Sequence, residues 1–380
     1  MSIALPQLEG SNVLTGSRIG CFQTCPRKEF YSYGLGIRRE VSAHYFRTGQ
    51  AVHTGLDMRA KGHSQDEAIA AATSTYEQLP TWATTDEQKH EWAIEREIVA
   101  RLLSGYFWYW EHDGVRPDLR VDAVIETEGP FEIAIRNPET GRASTSFNFA
   151  GKRDKIVKLG DGRIAVMEHK TTGDDIGVES DYWRRLRIDS QISGYMLAAK
   201  AQGHDVQTVL YDVIRKPTIA PRQIPLLDEQ GLKIVVDQAT GERMLKSNLK
   251  KDGTPGAGHG EPYQSANAEK GWILLSRVET PEEFGNRLTD DIAARPEFYF
   301  ARQEIPRLEA DLEEFSTQLW QIQQQMRESY QKGRHFRNTS ACIGKGRCEF
   351  LDVCHQGIDL SHGIPAGFRQ VTTVHEELEA

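Results

Sequence analysis

Two short runs in this 380-residue chain carry side chains that could do chemistry together: Gly151-Lys-Arg-Asp154 and Ile164-Ala-Val-Met-Glu168-His-Lys170. The second has the pattern of an apolar strand ending in an acid and a lysine two positions apart. Successive strand side chains point to opposite faces, so Glu168 and Lys170 share one face and His169 takes the other. Asp154, expected to end the preceding strand, joins them if the two strands pair as a hairpin. Two converging carboxylates suit a hard divalent cation such as Mg²⁺, which takes oxygen ligands and keeps several waters. Such a cation acidifies a bound water, and a nearby lysine can position that water and offset charge building on a substrate oxygen. By itself an acid-x-lysine triplet is common on surfaces. Here it follows four apolar residues, where surface decoration is unexpected.

Other residues could join this pair. Gln191 and Tyr195 lie one helical turn apart and can face the same cleft. His53 sits on an early helix, where a single histidine is ordinarily structural. Lys152, Arg153 and Lys155 surround Asp154, and Arg184, Arg185 and Arg187 precede the helix of Gln191. Basic side chains flanking an acidic metal site are what a phosphodiester would require.

The elements that must position these groups follow from periodicity and caps. Residues 16–23 suggest a helix, and a second begins near Gly49 and carries His53. Ser64 with Glu67 is a capping box before an alanine-rich helix over 65–78. A longer helix spans 87–111 and ends in Tyr-Phe-Trp-Tyr-Trp, whose rings suit core packing better than base stacking. Strand patterns follow over 121–135, 144–159 and 163–172. Residues 181–202 return to helix, residues 206–216 form a buried strand, and residues 235–245 suggest a small hairpin. Thr280-Pro281 starts another helix. The stripe Leu308, Leu312, Phe315, Leu319, Ile322 and Met326 marks a packed helix over 307–330. The order is that of one α/β domain with helical flanks.

Composition narrows the class. A net charge of -9 argues against coating nucleic acid by bulk charge, although a local basic groove remains compatible with it. No run of eighteen apolar residues occurs, and the first residues lack a basic, apolar leader, so a cytoplasmic protein without a membrane span is expected. Five cysteines fall at the two ends: Cys21 and Cys25, then Cys342, Cys348 and Cys354. In a reducing compartment such clusters are more often metal ligands than disulfides.

Gly49-x-x-x-His53, Gly151-x-x-Asp154, Glu168-x-Lys170 and Gln191-x-x-x-Tyr195 occur in that order and resemble the motifs of RecB-type PD-(D/E)XK nucleases over residues 16–355. The family commonly has aspartate where this chain has Glu168, and glutamate is an accepted variant. The resemblance implies an α/β restriction-endonuclease-like core, a mixed central sheet flanked by helices, with its terminal helical segments joined at a metal cluster. It implies that His53, Asp154 and Glu168 ligate Mg²⁺ or Mn²⁺, that Lys170 assists the nucleophile, and that Gln191 and Tyr195 shape the site. Arg153, Arg184 and Arg185 are then the candidate nucleic-acid contacts.

Cys25-Pro26 with Cys342, Cys348 and Cys354 resembles the iron–sulfur staple of AddB-type and CRISPR-associated RecB-like exonucleases, often phage or prophage encoded. Four thiolates suit a [4Fe-4S] cluster, with tetrahedral Zn²⁺ as the alternative. Both terminal gaps hold five residues, whereas the usual pattern has two close cysteines, which leaves the cluster type open. The implied division is a lead over 1–15, one nuclease domain over 16–355 and a tail over 356–380. Within the domain, a helical part covers 16–118, the core 119–216 and 267–330, an inserted hairpin 217–266, and the cysteine segment 336–355. The expected activity is a DNA exonuclease of recombination, repair or phage replication, with a helicase or recombination protein as partner. The alternatives are a structure-selective endonuclease and a catalytically weak DNA-binding scaffold.

Overall fold

The computed structural model describes residues 8–40, 44–112, 119–246, 260–344, 346–357, 360, 363–375 and 378. Three long strands come first in the sheet. β3 (Val121–Arg136), β4 (Ala143–Leu159) and β5 (Ile164–Thr172) form an antiparallel meander. β5 then pairs in parallel with β6 (Thr208–Arg215), and β11 (Phe300–Ile305) closes that side antiparallel to β6. The short β1 (Val13–Leu14) adds in parallel to β4, giving the order β1-β4-β5-β6-β11 with β3 also on β4. A parallel step needs a crossover. α6 (Asp181–Leu186) and α7 (Ser190–Ala201) supply it, so the expected continuous helix over 181–202 is in fact two. The break is local chemistry: the Asp189 carboxylate accepts from the Gln191 N–H and caps a new helix.

The sheet alternates strictly about β5. Val166, with Val209, Tyr211 and Val213 of β6, packs on one face against Ile192, Tyr195 and Met196 of α7. That core also takes Leu312, Phe315, Leu319 and Met326 of α10 (Glu309–Lys332). Ala165 and Met167 meet Leu119, Val157 and Leu210 on the opposite face. Leu308, counted above in the helical stripe, precedes α10 as its cap and is exposed. Among the described residues no helix is long and apolar enough to cross a membrane.

Two early helices start at caps. α1 (Gly16–Thr24) starts under the Thr15 side chain, and α4 (Gln65–Thr73) carries the Ser64–Glu67 capping box. α4 stops at Thr73, short of the expected residue 78. α3 (His44–Ala60) lies between them in the chain, and α5 (Asp86–His112) is the long helix.

The chain forms two compact units. The first holds the sheet just described. The second comprises Tyr76–Arg101 and Pro217–Ala294. In it, β7 (Gln223–Pro225) pairs with β10 (Ser276–Val278), and β8 (Val235–Asp237) pairs with β9 (Trp272–Leu274). The hairpin expected over 235–245 survives as a tight turn in which Gly241 N–H donates to Asp237 C=O, but β8 takes its ladder from β9. α8 (Pro281–Ala294) starts in this unit with a Thr280–Glu283 capping box.

The two chain ends meet within the first unit. β2 (Ile37–Arg39) pairs with β14 (Phe368–Gln370), and Leu35, Ile37, Phe350, Val353 and Phe368 form a small core there. Phe350 caps α11 (Leu351–Gln356). α2 (Pro26–Glu29) is reached from α10 and the segment after it: Arg27 Nε donates to His335 C=O at 3.0 Å, and Phe30 stacks on His335 at 3.9 Å. Two further short segments complete the strand set, β12 (Ile343–Gly344) and β13 (Gly346–Arg347), and α9 (Pro296–Tyr299) precedes β11.

A buried ion pair binds these ends. Arg18 Nε lies 2.9 Å from Glu29 Oε1, both side chains essentially without exposure. Arg18 Nη1 also donates to the carbonyls of Ser11 and Val13, and the Tyr330 hydroxyl of α10 donates to Glu29. Burial pushes the Glu29 carboxyl up, against the pull of Arg18. Removing one partner of such a pair strands a charge. Arg18→Met or Glu29→Gln should each cost about 3–5 kcal/mol in urea unfolding, and the double variant should recover part of it. Equal stability of the single variants and wild type would contradict this.

Burial, with Arg27 adding, holds His335 down to about 4. The unfolded chain therefore takes a proton that the folded one refuses. This contribution is complete above about pH 6.5, the unfolded value, and is lost as pH falls toward 4. The drop in unfolding midpoint between pH 7.5 and 5 should shrink in His335→Phe, and an unchanged drop would remove His335 from the acid response.

Candidate active site

Asp154 lies inside β4, five residues before its end at Leu159, and not at the strand terminus expected from the sequence. The antiparallel register pairs Lys155 with Met167, which sets Asp154 beside Glu168 one step further on. Glu168 continues the alternation of Val166 and so faces α7, while His169 faces the opposite side with Met167. His53 comes from α3, and Gln191 and Tyr195 from the first turns of α7. These residues, with Thr15, Gly16 and Asp57, line one cleft of about 790 Å³. Two glycines make the close approaches. A Cβ on Gly49 would sit 2.9 Å from Thr171 Oγ1, and one on Gly151 would sit 2.7 Å from the Phe131 ring. These are the glycines of the first two motifs, and each clears space where α3 or Phe131 meets a sheet strand.

The polar groups form a chain. Lys170 Nζ donates to Glu168 Oε1 at 2.6 Å and to Gln191 Oε1 at 2.9 Å. Gln191 Nε2 donates to the Tyr195 hydroxyl at 2.6 Å. Asp154 Oδ2 accepts the His169 N–H at 2.7 Å, and its Oδ1 lies 3.5 Å from His53 Nδ1. Glu168 Oε2 is buried and has no hydrogen-bond partner among the described residues.

Burial is the largest single influence on each group, and neighbouring charges together reverse it in all but Glu168. It pushes Glu168 up to about 7, with Lys170 opposing and Asp154 adding. Burial also works against the Asp154 carboxylate, yet His53 and the His169 side hold it well below the usual carboxylate range. The His53 and Lys170 cations are likewise penalised by burial, but Asp154 and Glu168 respectively raise them above their ordinary values. Two carboxyls pushed in opposite directions within one cleft are the mark of a site built around charge.

Among the described residues no three His, Cys, Asp or Glu side chains converge as a ready-made metal cage. A Mg²⁺-type cation needs none, since it is held by one or two carboxylates with waters and substrate oxygens completing the shell. The unpartnered Glu168 oxygen beside Asp154 fits that demand.

The other expected site residues fall elsewhere. Arg153 is 1% exposed, paired with Glu126 at 2.9 Å and stacked on Phe131, so it offers no surface to a phosphate. Arg184 and Arg185 stand exposed on α6, paired with Asp181 and Asp174. Cys25, Cys342, Cys348 and Cys354 carry no disulfide. Cys25 and Cys342 both contact Asn338, whose N–H donates to Cys25 Sγ and whose C=O accepts from Cys342 Sγ, but among the described residues no three cysteines converge as a metal site. Cys348 N–H donates to Cys342 C=O. Burial pushes the spare Cys21 up to about 12.

Several cleft residues escaped the sequence reading. Asp57, one turn after His53, accepts from Thr127 and Lys61. Glu128 has a left-handed φ of 51° and pairs with Lys152 at the cleft edge. Neither has a local signal. Asp212, behind the site, did: it is an acid inside the apolar run Val-Leu-Tyr-Asp-Val-Ile of β6.

Comparison with known proteins agrees with this geometry. The sequence profile described as the PD-(D/E)XK nuclease superfamily matches residues 13–355. No curated protein sequence matches the chain. Among solved structures, a candidate exonuclease from Eubacterium rectale is 10% identical, with 92% of this chain and 90% of that one covered and a TM-score of 0.38. The structure of SSO0001 is 14% identical, covering 55% of this chain and 65% of that one, with a TM-score of 0.23. With the family profile spanning nearly the whole sheet unit and all four ordered motifs, the chain belongs to the PD-(D/E)XK nuclease superfamily.

Proposed function

We propose that the protein is a Mg²⁺- or Mn²⁺-dependent deoxyribonuclease that hydrolyses phosphodiester bonds from DNA ends. The buried, unpartnered Glu168 oxygen beside Asp154 is the observation that carries this reading. Asp154 and Glu168 would hold the cation, with His53 joining through its place on Asp154. When bound, the metal supplies an acidified water and a counter-charge for phosphate oxygens. The remaining work belongs to the chain itself. Lys170, pinned between Glu168 and Gln191, presents a cation where phosphate charge would build. Tyr195 fixes the Gln191 amide that orients this lysine. The exposed Arg184 and Arg185 are suited to phosphate contacts that set register without reading sequence. An exonuclease of this kind fits a recombination, repair or phage setting with a helicase or recombination partner.

The test uses labelled linear and circular DNA, single- and double-stranded, with Mg²⁺ or Mn²⁺ present or chelated. Chelation should stop cleavage, and circular substrates should survive. Asp154→Ala, Glu168→Ala and Lys170→Ala should each lose at least about 100-fold in rate while remaining folded. Folded variants at wild-type rate would sink the assignment, and cleavage of circles would move it to a structure-selective endonuclease.

We also propose that Cys25, Cys342, Cys348 and Cys354 hold a [4Fe-4S] cluster, with Zn²⁺ as the alternative. The meeting of Cys25 and Cys342 around Asn338, across more than 300 residues of chain, supports it. Metal bound across such a span contributes directly to folding. Anaerobically purified protein should contain iron, or zinc in the alternative. Cys25→Ala or Cys348→Ala should lower metal content and thermal midpoint together, and Cys21→Ala should change neither. Protein free of both metals, with all variants equally stable, would remove the cluster.

A further inference from the structure

We infer that His169 and Asp212 are positioning residues, holding from behind the sheet the peptide that fixes Asp154 for a divalent cation. This rests on the metal-site reading above and extends it to residues outside the cleft. His169 and Asp212 are direct Cα partners in the parallel β5–β6 pair, and both are buried. His169 Nδ1 lies 2.8 Å from Asp212 Oδ2, a close polar contact without the alignment of a hydrogen bond. Asp212 is in turn held by Arg302 Nε of β11 at 3.1 Å and by the Tyr106 hydroxyl of α5, and Arg302 Nη2 donates to that hydroxyl at 2.9 Å. The buried Lys155 ammonium, bonded to Leu56 C=O, also faces this side.

A purely structural role explains such a cluster poorly, because well-packed apolar side chains of similar volume commonly serve the interior at least as well. What the cluster does have is one path to the cleft. The His169 backbone N–H, on the residue whose ring is clamped, donates to Asp154 Oδ2 at 2.7 Å. The same ring stands edge-on to His53 at 6.1 Å. Holding the ring beside Asp212 limits the rotation of β5 about its axis. That rotation sets at once where the N–H meets Asp154 and where Glu168, the preceding residue, points. Asp212 thereby acts as an outer-shell partner of the kind that orients ligands through an intermediate group.

The experiment is calorimetric titration of Mn²⁺ into wild type, His169→Ala, His169→Asn, Asp212→Asn and the His169→Ala/Asp212→Asn double variant. Folding is checked by circular dichroism and thermal melting. Binding should weaken about 10- to 100-fold in His169→Ala and in Asp212→Asn. The double variant should be no weaker than the weaker single, since both changes cut one connection. His169→Asn, which keeps a donor near the Nδ1 position, should stay within a few-fold of wild type. Wild-type Mn²⁺ binding by folded His169→Ala would overturn the inference and leave the metal site intact. Loss of fold in every variant would assign the cluster to stability and overturn it equally. Absence of Mn²⁺ binding by wild type would overturn the metal-site reading itself, and the inference with it.

Discussion

A central strand buried on both faces has no solvent to share with a charged side chain, and β5 carries Glu168, His169 and Lys170 in succession. Each must therefore find its counterpart within the protein. The alternation of the strand dictates the solution. Glu168 and Lys170 go to the α7 face, where Lys170 bonds Glu168 Oε1 and Gln191 and leaves Glu168 Oε2 as the one oxygen of that carboxylate without a partner among the described residues. His169 goes to the other face, where Asp212, Arg302 and Tyr106 close a second polar set. Lys155 of β4 and Asp154 beside it divide between the same two faces. The meander β3-β4-β5 and the parallel step to β6 are thus the frame that delivers partners to one strand. A one-residue slip would send every one of these charges to the wrong side.

The same requirement recurs where the chain ends meet. Arg18 enters the core from α1, and its guanidinium is used up by Glu29 and the carbonyls of Ser11 and Val13. Tyr330 adds its hydroxyl from α10. In this way a short N-terminal segment, the π-turn at Phe30–Gly34 and the last long helix are tied by directional bonds. The apolar cores there are small, Leu35 with Phe350 and Leu8 with Val371. Directional bonds compensate for what such small cores leave unspecified. They also bring Cys25 within reach of the segment carrying Cys342.

Local signals were legible in the sequence, and long-range ones were not. Ser64 and Thr280 marked the starts of α4 and α8, and the patterns over 16–23, 87–111 and the three strand runs match α1, α5 and β3 to β5 within one residue. The convergence of Asp154, Glu168, Lys170, Gln191 and Tyr195 followed from period-two and period-3.6 geometry plus the motif order. What failed required knowledge of a distant partner. Arg153 has the look of a groove cation, but Phe131 and Glu126, more than twenty residues earlier, turn it inward. Val235–Asp237 does turn back onto Glu242–Met244 as expected, but its second pairing, with Trp272–Leu274, left no local signal. Asp154 is expected to end its strand, and β4 instead runs on to Leu159. The strand continues because Lys155 reaches Leu56 C=O in the interior.

The acidic net charge and the nuclease family are reconciled by how the outer cations of the cleft and of α6 are paired. Lys61 is held by Asp57, Lys152 by Glu128, and Arg184 and Arg185 by Asp181 and Asp174. Such exposed pairs contribute little stability each, so an incoming phosphate competes against a weak partner. A chain of net negative charge can then present cations only where a polyanion is already close, and it lacks the bulk field that would gather nucleic acid indiscriminately. The inner site follows the opposite rule. Glu168 is buried and its partner Lys170 is half-buried, so their exchange for metal and phosphate is costly unless both arrive with the right charge and geometry. In the proposed function, selectivity therefore resides in the buried pair, and the exposed pairs serve approach.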